Sequence, residues 1–203
     1  MSSESTAGDR GAAGGPDVGR VQDPRLLAAA QRVLEDAGWQ GLTIEAVAEA
    51  AGLSRVTAWR LGATREALVA SLIDQVDQDY RRAMWTVLVG PGTARERMDG
   101  ALDALFDVID AHLPLLLASD TIFHRASASR LSFIEPFIRL FQDGALDQTV
   151  AAPGGSPREA ADLLFNTVCW PYVHLRGRHG WSRARARRGL RALTGPALNP
   201  EHG

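Results

Sequence analysis

The sequence predicts an all-α protein with an N-terminal three-helix domain, containing a helix-turn-helix, and a larger C-terminal helical domain. Apolar residues recur at helical spacing from residue 24 almost to residue 195, and no segment shows the alternation that is typical of strands. Breaks such as Gly90-Pro91-Gly92 and Pro153-Gly154-Gly155 divide this pattern into helices of ordinary length.

Composition limits the possible classes of protein. Hydrophobic residues make up 45% of the 203 residues and charged residues 23%, which is typical of a folded globular chain. No apolar run approaches the roughly 20 residues that a membrane span needs, and no secretory leader is recognisable. A single cysteine excludes an intramolecular disulfide framework. We therefore expect a cytoplasmic protein with no membrane partner.

Four segments are expected along the chain. Residues 1–22 are rich in glycine and serine and poor in large apolar groups, and they are interpreted as a tail. Residues 23–68 form the helix-turn-helix domain, residues 69–195 form the second helical domain, and residues 196–203 form a short terminal tail.

The first helix begins at Asp23-Pro24, because aspartate is a good N-cap and proline suits the first helical position. Its apolar stripe contains Leu26, Ala30, Val33 and Ala37. The helix is expected to end near Gly38.

The stretch from Thr43 to Leu61 has the spacing of a helix-turn-helix. Thr43 is placed to cap a second helix, Ala48 is small enough for a close helix crossing, and Gly52 suits the tight turn. Ser54 can cap the third helix, and the chain from Arg55 to Arg65 holds three arginines and no carboxylate. The net charge is only −2, so this local positive charge is the feature that favours nucleic acid.

The third helix offers side chains suited to the major groove of DNA. They supply guanidinium groups, a hydroxyl and apolar surface, which match guanine edges, phosphates and thymine methyl groups. The outward residues are Arg55, Val56, Thr57, Trp59 and Arg60. A plain helical hairpin can show the same Ala-x-x-x-Gly-x-Ser pattern, but three helices at this spacing with a basic third helix favour DNA binding.

Residues 26–72 resemble the DNA-binding domain of the TetR family of bacterial regulators. The resemblance lies in Gly38-Trp39, Thr43, the run from Ala48 to Ser54, Thr57, Trp59 and the run from Thr64 to Leu68. It implies that Thr43, Thr57, Trp59 and Arg65 contact phosphates or positioning groups, and that Arg55, Val56 and Arg60 face bases; Ser54 completes the predicted DNA-binding set. Leu61-Gly62-Ala63 departs from the family pattern, since it replaces two aromatic residues and removes an apolar anchor for the fourth helix.

The resemblance also implies that residues 69–195 bind a small molecule and form a homodimer through the last two long helices. Aromatic and histidine side chains are candidates for an apolar pocket, although aromatic residues at helical spacing usually belong to the core. The candidates are Trp85, Phe106, His112, Phe123, His124, Phe133, Phe137, Phe141 and Trp170.

The last two helices carry two notable features. Pro171 lies within the helix expected over residues 156–178 and is predicted to kink or interrupt it. The run from Arg176 to Arg191 holds seven arginines and no acid. We expect these arginines to be solvated, or to pair across a dimer with the acidic helix around Asp99 to Asp110.

Enzyme signatures are missing from the sequence, which contains no glycine-rich phosphate loop, no His-Glu-x-x-His and no Gly-x-Ser-x-Gly. We therefore predict no catalytic residue, no metal ligand and no cofactor. The function expected is a ligand-responsive transcription regulator, a repressor released from a palindromic DNA operator by a small molecule. The alternative is an all-α small-molecule binding protein whose helix-turn-helix is vestigial.

Overall fold

The computed structural model describes residues 19–118 and 133–200, and every helix or strand assigned in these stretches is a helix, which confirms the predicted all-α class. The helices are α1 (Pro24–Gly41), α2 (Ile44–Ala50), α3 (Arg55–Arg60), α4 (Arg65–Leu88), α5 (Ala94–Ala111), α6 (Leu113–Ala118), α7 (Glu135–Asp147), α8 (Pro157–Gly177) and α9 (Arg183–Thr194), followed by a 3₁₀ turn at Pro196–Leu198. None of these helices combines the length and apolar character needed to cross a membrane.

Helix α1 begins where the sequence predicts. The Asp23 carboxylate accepts a hydrogen bond from the backbone N–H of Arg25 over 2.9 Å. Regular geometry breaks at Gly38, whose φ of +65° lies in the left-handed region, and one short turn continues to Gly41. Leu26 and Ala30 are buried against the rest of the N-terminal domain.

Helix α4 belongs to both halves of the molecule. Its 24 residues span about 36 Å at the usual rise per residue. The helix packs against α1 and against α5. Near α1, Gln31 Nε2 donates to Gln75 Oε1 over 3.1 Å. A displacement of α4 therefore reaches the N-terminal domain directly.

Aromatic side chains fill the core of the C-terminal half. The rings of Phe106 on α5 and Tyr172 on α8 lie 4.4 Å apart between centroids, and Phe137 and Phe141 on α7 are fully buried. Contrary to the predicted interruption, α8 runs without a break through Pro171. The carbonyl that loses its partner at Pro171 belongs to the exposed Thr167, so water can satisfy it.

The arginine-rich run pairs with the predicted acidic helix, but it does so within one chain. Arg187 Nη2 lies 2.6 Å from Asp107 Oδ1, and Arg191 Nη2 lies 2.7 Å from Asp103 Oδ1. Arg176, Arg183 and Arg187 also reach Asp110. The expectation of a solvated face or of cross-dimer pairing is therefore wrong for Arg176, Arg187 and Arg191, because α8 and α9 lie against α5 of the same chain.

The packed part of the chain extends into both segments that we expected to be tails. Val21 is buried, and its backbone N–H donates to Ser71 Oγ of α4 over 2.9 Å. Leu198 is also buried, and its carbonyl accepts from the backbone N–H of Ala151 over 3.0 Å. Single apolar residues are enough to anchor short segments whose overall composition is typical of a tail.

Candidate nucleic-acid interface

The turn between α2 and α3 is built by residues close together in sequence. Thr43 Oγ1 accepts a hydrogen bond from the backbone N–H of Ala46 over 3.2 Å and so begins α2. Gly52 adopts a φ of +67°, which glycine tolerates best, and the backbone N–H of Leu53 returns to the carbonyl of Ala48 over 2.8 Å. Ala48 is buried at this close approach.

Helix α3 begins at Ser54. Its Oγ accepts from the backbone N–H of Thr57 over 3.1 Å and lies 2.9 Å from Thr57 Oγ1. Ala58 is completely buried and holds the inner face of this six-residue helix against the domain. Thr43 and Ser54, both in the predicted DNA-binding set, therefore act as helix caps in this structure.

The outer face of α3 exposes large apolar side chains beside a cation. Val56 is 58% exposed and Trp59 is 70% exposed, although both are of a type that normally packs inward. Thr57 and Arg60 are exposed on the same helix, and Arg60 has no hydrogen-bond or ion-pair partner among the described residues. This face combines apolar surface, a hydroxyl and a free guanidinium.

Arg55, at the first position of α3, forms an ion pair with α2. Its Nη1 lies 2.9 Å from Glu45 Oε1, while the two side chains remain 73% and 57% exposed. The pair joins residues ten positions apart in sequence across the turn. The positive charge expected from Arg55 is thus offset locally by Glu45.

Arg65 is turned toward the last turn of α1. Its Nη2 donates to the Trp39 carbonyl over 2.7 Å, and its guanidinium lies 4.6 Å from the centre of the Trp39 ring. Its Nε is buried and makes no hydrogen bond. Of the three arginines between residues 55 and 65, only Arg60 lacks a partner in the described part of the chain, so the positive surface is smaller than the sequence indicates.

The segment that departs from the family pattern forms a closed turn. Gly62 adopts a φ of +79°, and its N–H donates to the Trp59 carbonyl over 2.9 Å. The N–H of Ala63 donates to the Ala58 carbonyl over 3.0 Å, and Ala63 is buried. Gly62 is therefore a helix-ending residue, and Ala63 supplies an apolar contact ahead of α4.

An open cleft of about 680 Å³ lies along the second half of α4, opposite the start of α7. Its floor is mainly apolar, and the Tyr80 hydroxyl donates to the Phe133 carbonyl. Arg81 and Arg82 stand at its rim, paired with Asp77 over 2.8 Å and with Asp79 over 3.1 Å. The lining residues are Asp77, Tyr80, Arg81, Arg82, Met84, Trp85, Leu88, Phe133, Glu135 and Pro136.

Two of the candidate pocket residues are brought together, and the others are not. Trp85, which is 67% exposed, and Phe133 line the cleft. Phe106, Phe137 and Phe141 belong to the closed core. Trp170 is partly buried against the core. Phe123 and His124 lie outside the described residues.

His112 lies elsewhere, at the junction between α5 and α6. Its Nε2 is 3.0 Å from Asp79 Oδ2, and it borders a small crevice between α1 and α6. We find no group of three or more histidine, cysteine, aspartate or glutamate side chains placed to hold a metal ion within the described ranges.

Two parts of the site were missed by sequence reasoning. Glu45 lies outside the basic segment from Arg55 to Arg65, and the signal for its ion pair is its place in the first turn of α2, next to the start of α3. The cleft residues Tyr80 and Met84 fit the ordinary core pattern of α4. Helical spacing does not distinguish a buried stripe from the floor of an open cleft.

Comparison with known proteins yields structural matches only. No protein-family model and no curated protein sequence matches the chain. A Rhodococcus protein described as a TetR-family transcriptional regulator superposes with a TM-score of 0.62 at 19% identity, covering 85% of this chain and 96% of its own. A Mesorhizobium loti protein of the same description gives 0.59 at 17% identity, covering 86% and 95%.

A third solved structure extends the likeness. The ketosteroid transcriptional regulator of Mycobacterium tuberculosis gives a TM-score of 0.58 at 17% identity and covers 90% of this chain and 98% of its own. At these identities the matches establish the fold. The resemblance to the TetR family is thus confirmed as a shared fold over most of the chain, including the helical C-terminal half.

Proposed function

We propose that this protein is a cytoplasmic, sequence-specific DNA-binding transcription regulator. The observation that carries the proposal is the outer face of α3, where Trp59 and Val56 are exposed beside Arg60, which has no partner in the described part of the chain. Large apolar side chains that lie exposed side by side indicate a binding surface, and Val56 and Arg60 match the base edges that a major groove offers. The shared fold supports the same interpretation.

The individual contacts follow from the placement of the side chains. Arg55, Val56 and Arg60 face bases, while Thr57 and Trp59 meet the phosphate backbone. Thr43 and Ser54 contribute through the helix starts that they cap, where backbone N–H groups favour phosphate oxygens. Arg65 acts as a positioning group, since its guanidinium donates to the Trp39 carbonyl in the last turn of α1.

A homodimer supplies the second recognition helix that a palindromic operator requires. Leu163 on α8 and Leu193 on α9 are exposed large apolar residues, and a second copy can cover them. Two copies place their α3 helices to read half-sites about 34–36 Å apart, one turn of DNA. The fold shared with known regulators supports this arrangement.

The cleft along α4 is the proposed effector site, and its effector is a largely apolar small molecule. Its acidic and basic lining side chains already have partners within the chain, so the floor offers apolar contact rather than free hydrogen-bond donors. Because α4 also packs against α1, an effector that prefers one position of α4 changes the spacing of the recognition helices. Such an effector releases the repressor from its operator.

The vestigial alternative has little support. It rests on damage at Leu61-Gly62-Ala63, but the turn there is closed by hydrogen bonds and Ala63 is buried. If the Leu61-Gly62-Ala63 segment no longer supported the helix-turn-helix, α3 would be expected to lack this hydrogen-bonded turn. We therefore favour a working helix-turn-helix.

Selection of binding sites from a pool of random-sequence DNA duplexes tests the proposal. The regulator is expected to enrich a palindromic site, and its affinity for that site should fall steeply between 50 and 200 mM salt, as it does for proteins that contact several phosphates. Arg60→Ala should weaken the selected site by about 5- to 150-fold, which corresponds to about 1–3 kcal/mol for a lost guanine contact.

Arg139→Ala is the matched control, because it removes an exposed arginine from α7 and should leave DNA affinity unchanged. Failure to enrich any sequence, together with no salt-sensitive binding, would rule out the regulator and leave the small-molecule binding protein as the better description.

A further inference from the structure

Arg55 lies where helix stability does not favour a cation. It occupies the first position of α3, and positive charge is disfavoured near a helix N-terminus. Its partner Glu45 stands in the first turn of α2, where a carboxylate is favourable. Both side chains are mostly exposed, so their ion pair contributes little to the stability of the fold. Stability therefore does not account for this pairing.

We propose that Glu45 is a specificity-determining residue that holds the guanidinium of Arg55 and restricts which DNA groups Arg55 can bind. The inference rests on the proposed function, because it concerns the same interface. Glu45 is a positioning residue, since it acts through Arg55.

The physical basis is competition between the carboxylate and the DNA. A lone phosphate offers Arg55 a contact similar to the one it already has with Glu45, so exchanging one for the other gains little. A guanine edge offers two acceptors, O6 and N7, to the same planar group, and this bidentate contact can outweigh the lost ion pair. Glu45 therefore suppresses sequence-independent binding more than it suppresses binding to the correct base.

Glu49 provides a matched control on the same helix. It is exposed and has no ion-pair partner in the described part of the chain, so Glu49→Gln removes one negative charge from α2 without releasing Arg55. Glu45→Gln removes the same charge and does release Arg55. Comparing the two variants separates the general electrostatic effect from the specific pair.

The first measurement is binding to one fixed 30-base-pair duplex of arbitrary sequence, followed by fluorescence anisotropy from 50 to 200 mM salt. Glu45→Gln should bind about two- to fivefold more tightly than Glu49→Gln, the range expected when an exposed ion pair is removed. For Glu45→Gln, the slope of log affinity against log salt concentration should become steeper by about 0.9 for each added phosphate contact. Equal affinities and equal slopes for the two variants would overturn the proposal.

The second measurement is selection from random duplexes, repeated with both variants. Glu45→Gln should lose preference at one position in each half-site, the position read by Arg55, while Glu49→Gln keeps it. In an Arg55→Ala background, Glu45→Gln should have no further effect on preference or on the salt slope. A persisting effect there, or a loss of the selected site without any gain on the arbitrary duplex, shows that Glu45 acts on DNA directly and contradicts the inference.

Failure of the proposed function gives a different result. In that case the wild-type chain binds neither the arbitrary duplex nor any selected sequence in a salt-dependent way. Binding by the wild type with indistinguishable glutamine variants contradicts only the role of Glu45.

Discussion

Arg176 Nε on α8 lies 2.7 Å from the Oδ1 atom of Asp110 on α5, and the Asp110 side chain is only 2% exposed. The other carboxylate oxygen accepts from the Tyr172 hydroxyl over 2.7 Å and from Arg187 Nη2 over 3.0 Å. Burial alone would raise the pKa of Asp110, but the hydrogen bonds from Arg176, Tyr172 and Arg187 together lower it. This one carboxylate therefore joins α5, α8 and α9.

Asp110→Asn should destabilise the protein by about 3 kcal/mol, because it removes the buried carboxylate that compensates the charge of the mostly buried Arg176. Urea unfolding followed by circular dichroism measures the change. Asp103→Asn is the control, since Asp103 is exposed and its partner Arg191 keeps a second contact with Asp99; its cost should stay below about 1 kcal/mol. Similar costs for the two variants contradict the importance assigned to the buried site.

Stability should fall at acidic pH partly through Asp110. Its pKa is lowered in the folded state, so the unfolded chain binds this proton more tightly. The resulting stabilisation is fully present above the unfolded pKa of about 3.9 and is lost as the pH falls through the folded pKa. Urea midpoints between pH 6 and pH 2.5 should therefore decline less steeply for Asp110→Asn than for wild type. Parallel declines would show that Asp110 contributes nothing to the acid sensitivity.

Local features of the fold could be predicted from the sequence. The caps at Asp23, Thr43 and Ser54 each bind a backbone N–H two or three residues away, so the information lies within one helical turn. The all-α class follows for the same reason, because helical spacing is a local pattern.

Long-range contacts could not be predicted. The pair of Arg65 with the Trp39 carbonyl spans 26 positions, and that of Arg187 with Asp107 spans 80. An arginine side chain is long enough to reach several carboxylates or carbonyls, and which of them it binds depends on how the helices pack. The positive charge on α3 is therefore smaller than its arginine content predicts. For the same reason, the sequence predicted that the arginines of α9 face solvent or a second chain.

Gly62→Ala should cost about 1 kcal/mol of stability, because an L residue at a φ of +79° is strained. An added Cβ would meet no atom within 4 Å, so the cost is conformational and not steric. Gly100→Ala on α5 is the matched control, since its Cβ would make only an ordinary contact of 3.5 Å with Val87, and it should be neutral or stabilising by up to about 1 kcal/mol. Thermal unfolding compares the two. An unchanged or raised melting temperature for Gly62→Ala would mean that the glycine does not serve the turn.

The cleft along α4 should bind the aromatic part of an anionic dye through Trp85. The probe 1-anilinonaphthalene-8-sulfonate has an aromatic body for the apolar floor and a sulfonate that can stay in solvent at the rim of the open cleft. Trp85→Ala should weaken dye binding by about tenfold, or about 1.4 kcal/mol, since it removes a large apolar contact. Fluorescence titration of the folded protein gives the dissociation constants.

Trp59→Ala is the control for dye binding at exposed tryptophans in general. Trp59 is 70% exposed and Trp85 is 67% exposed, so the two substitutions remove similar apolar surface from different sites. Only Trp85→Ala should lower dye affinity, whereas Trp59→Ala should instead lower DNA affinity, because Trp59 lies on the outer face of α3. Equal loss of dye binding in both variants indicates attraction to any exposed indole and contradicts a specific site along α4.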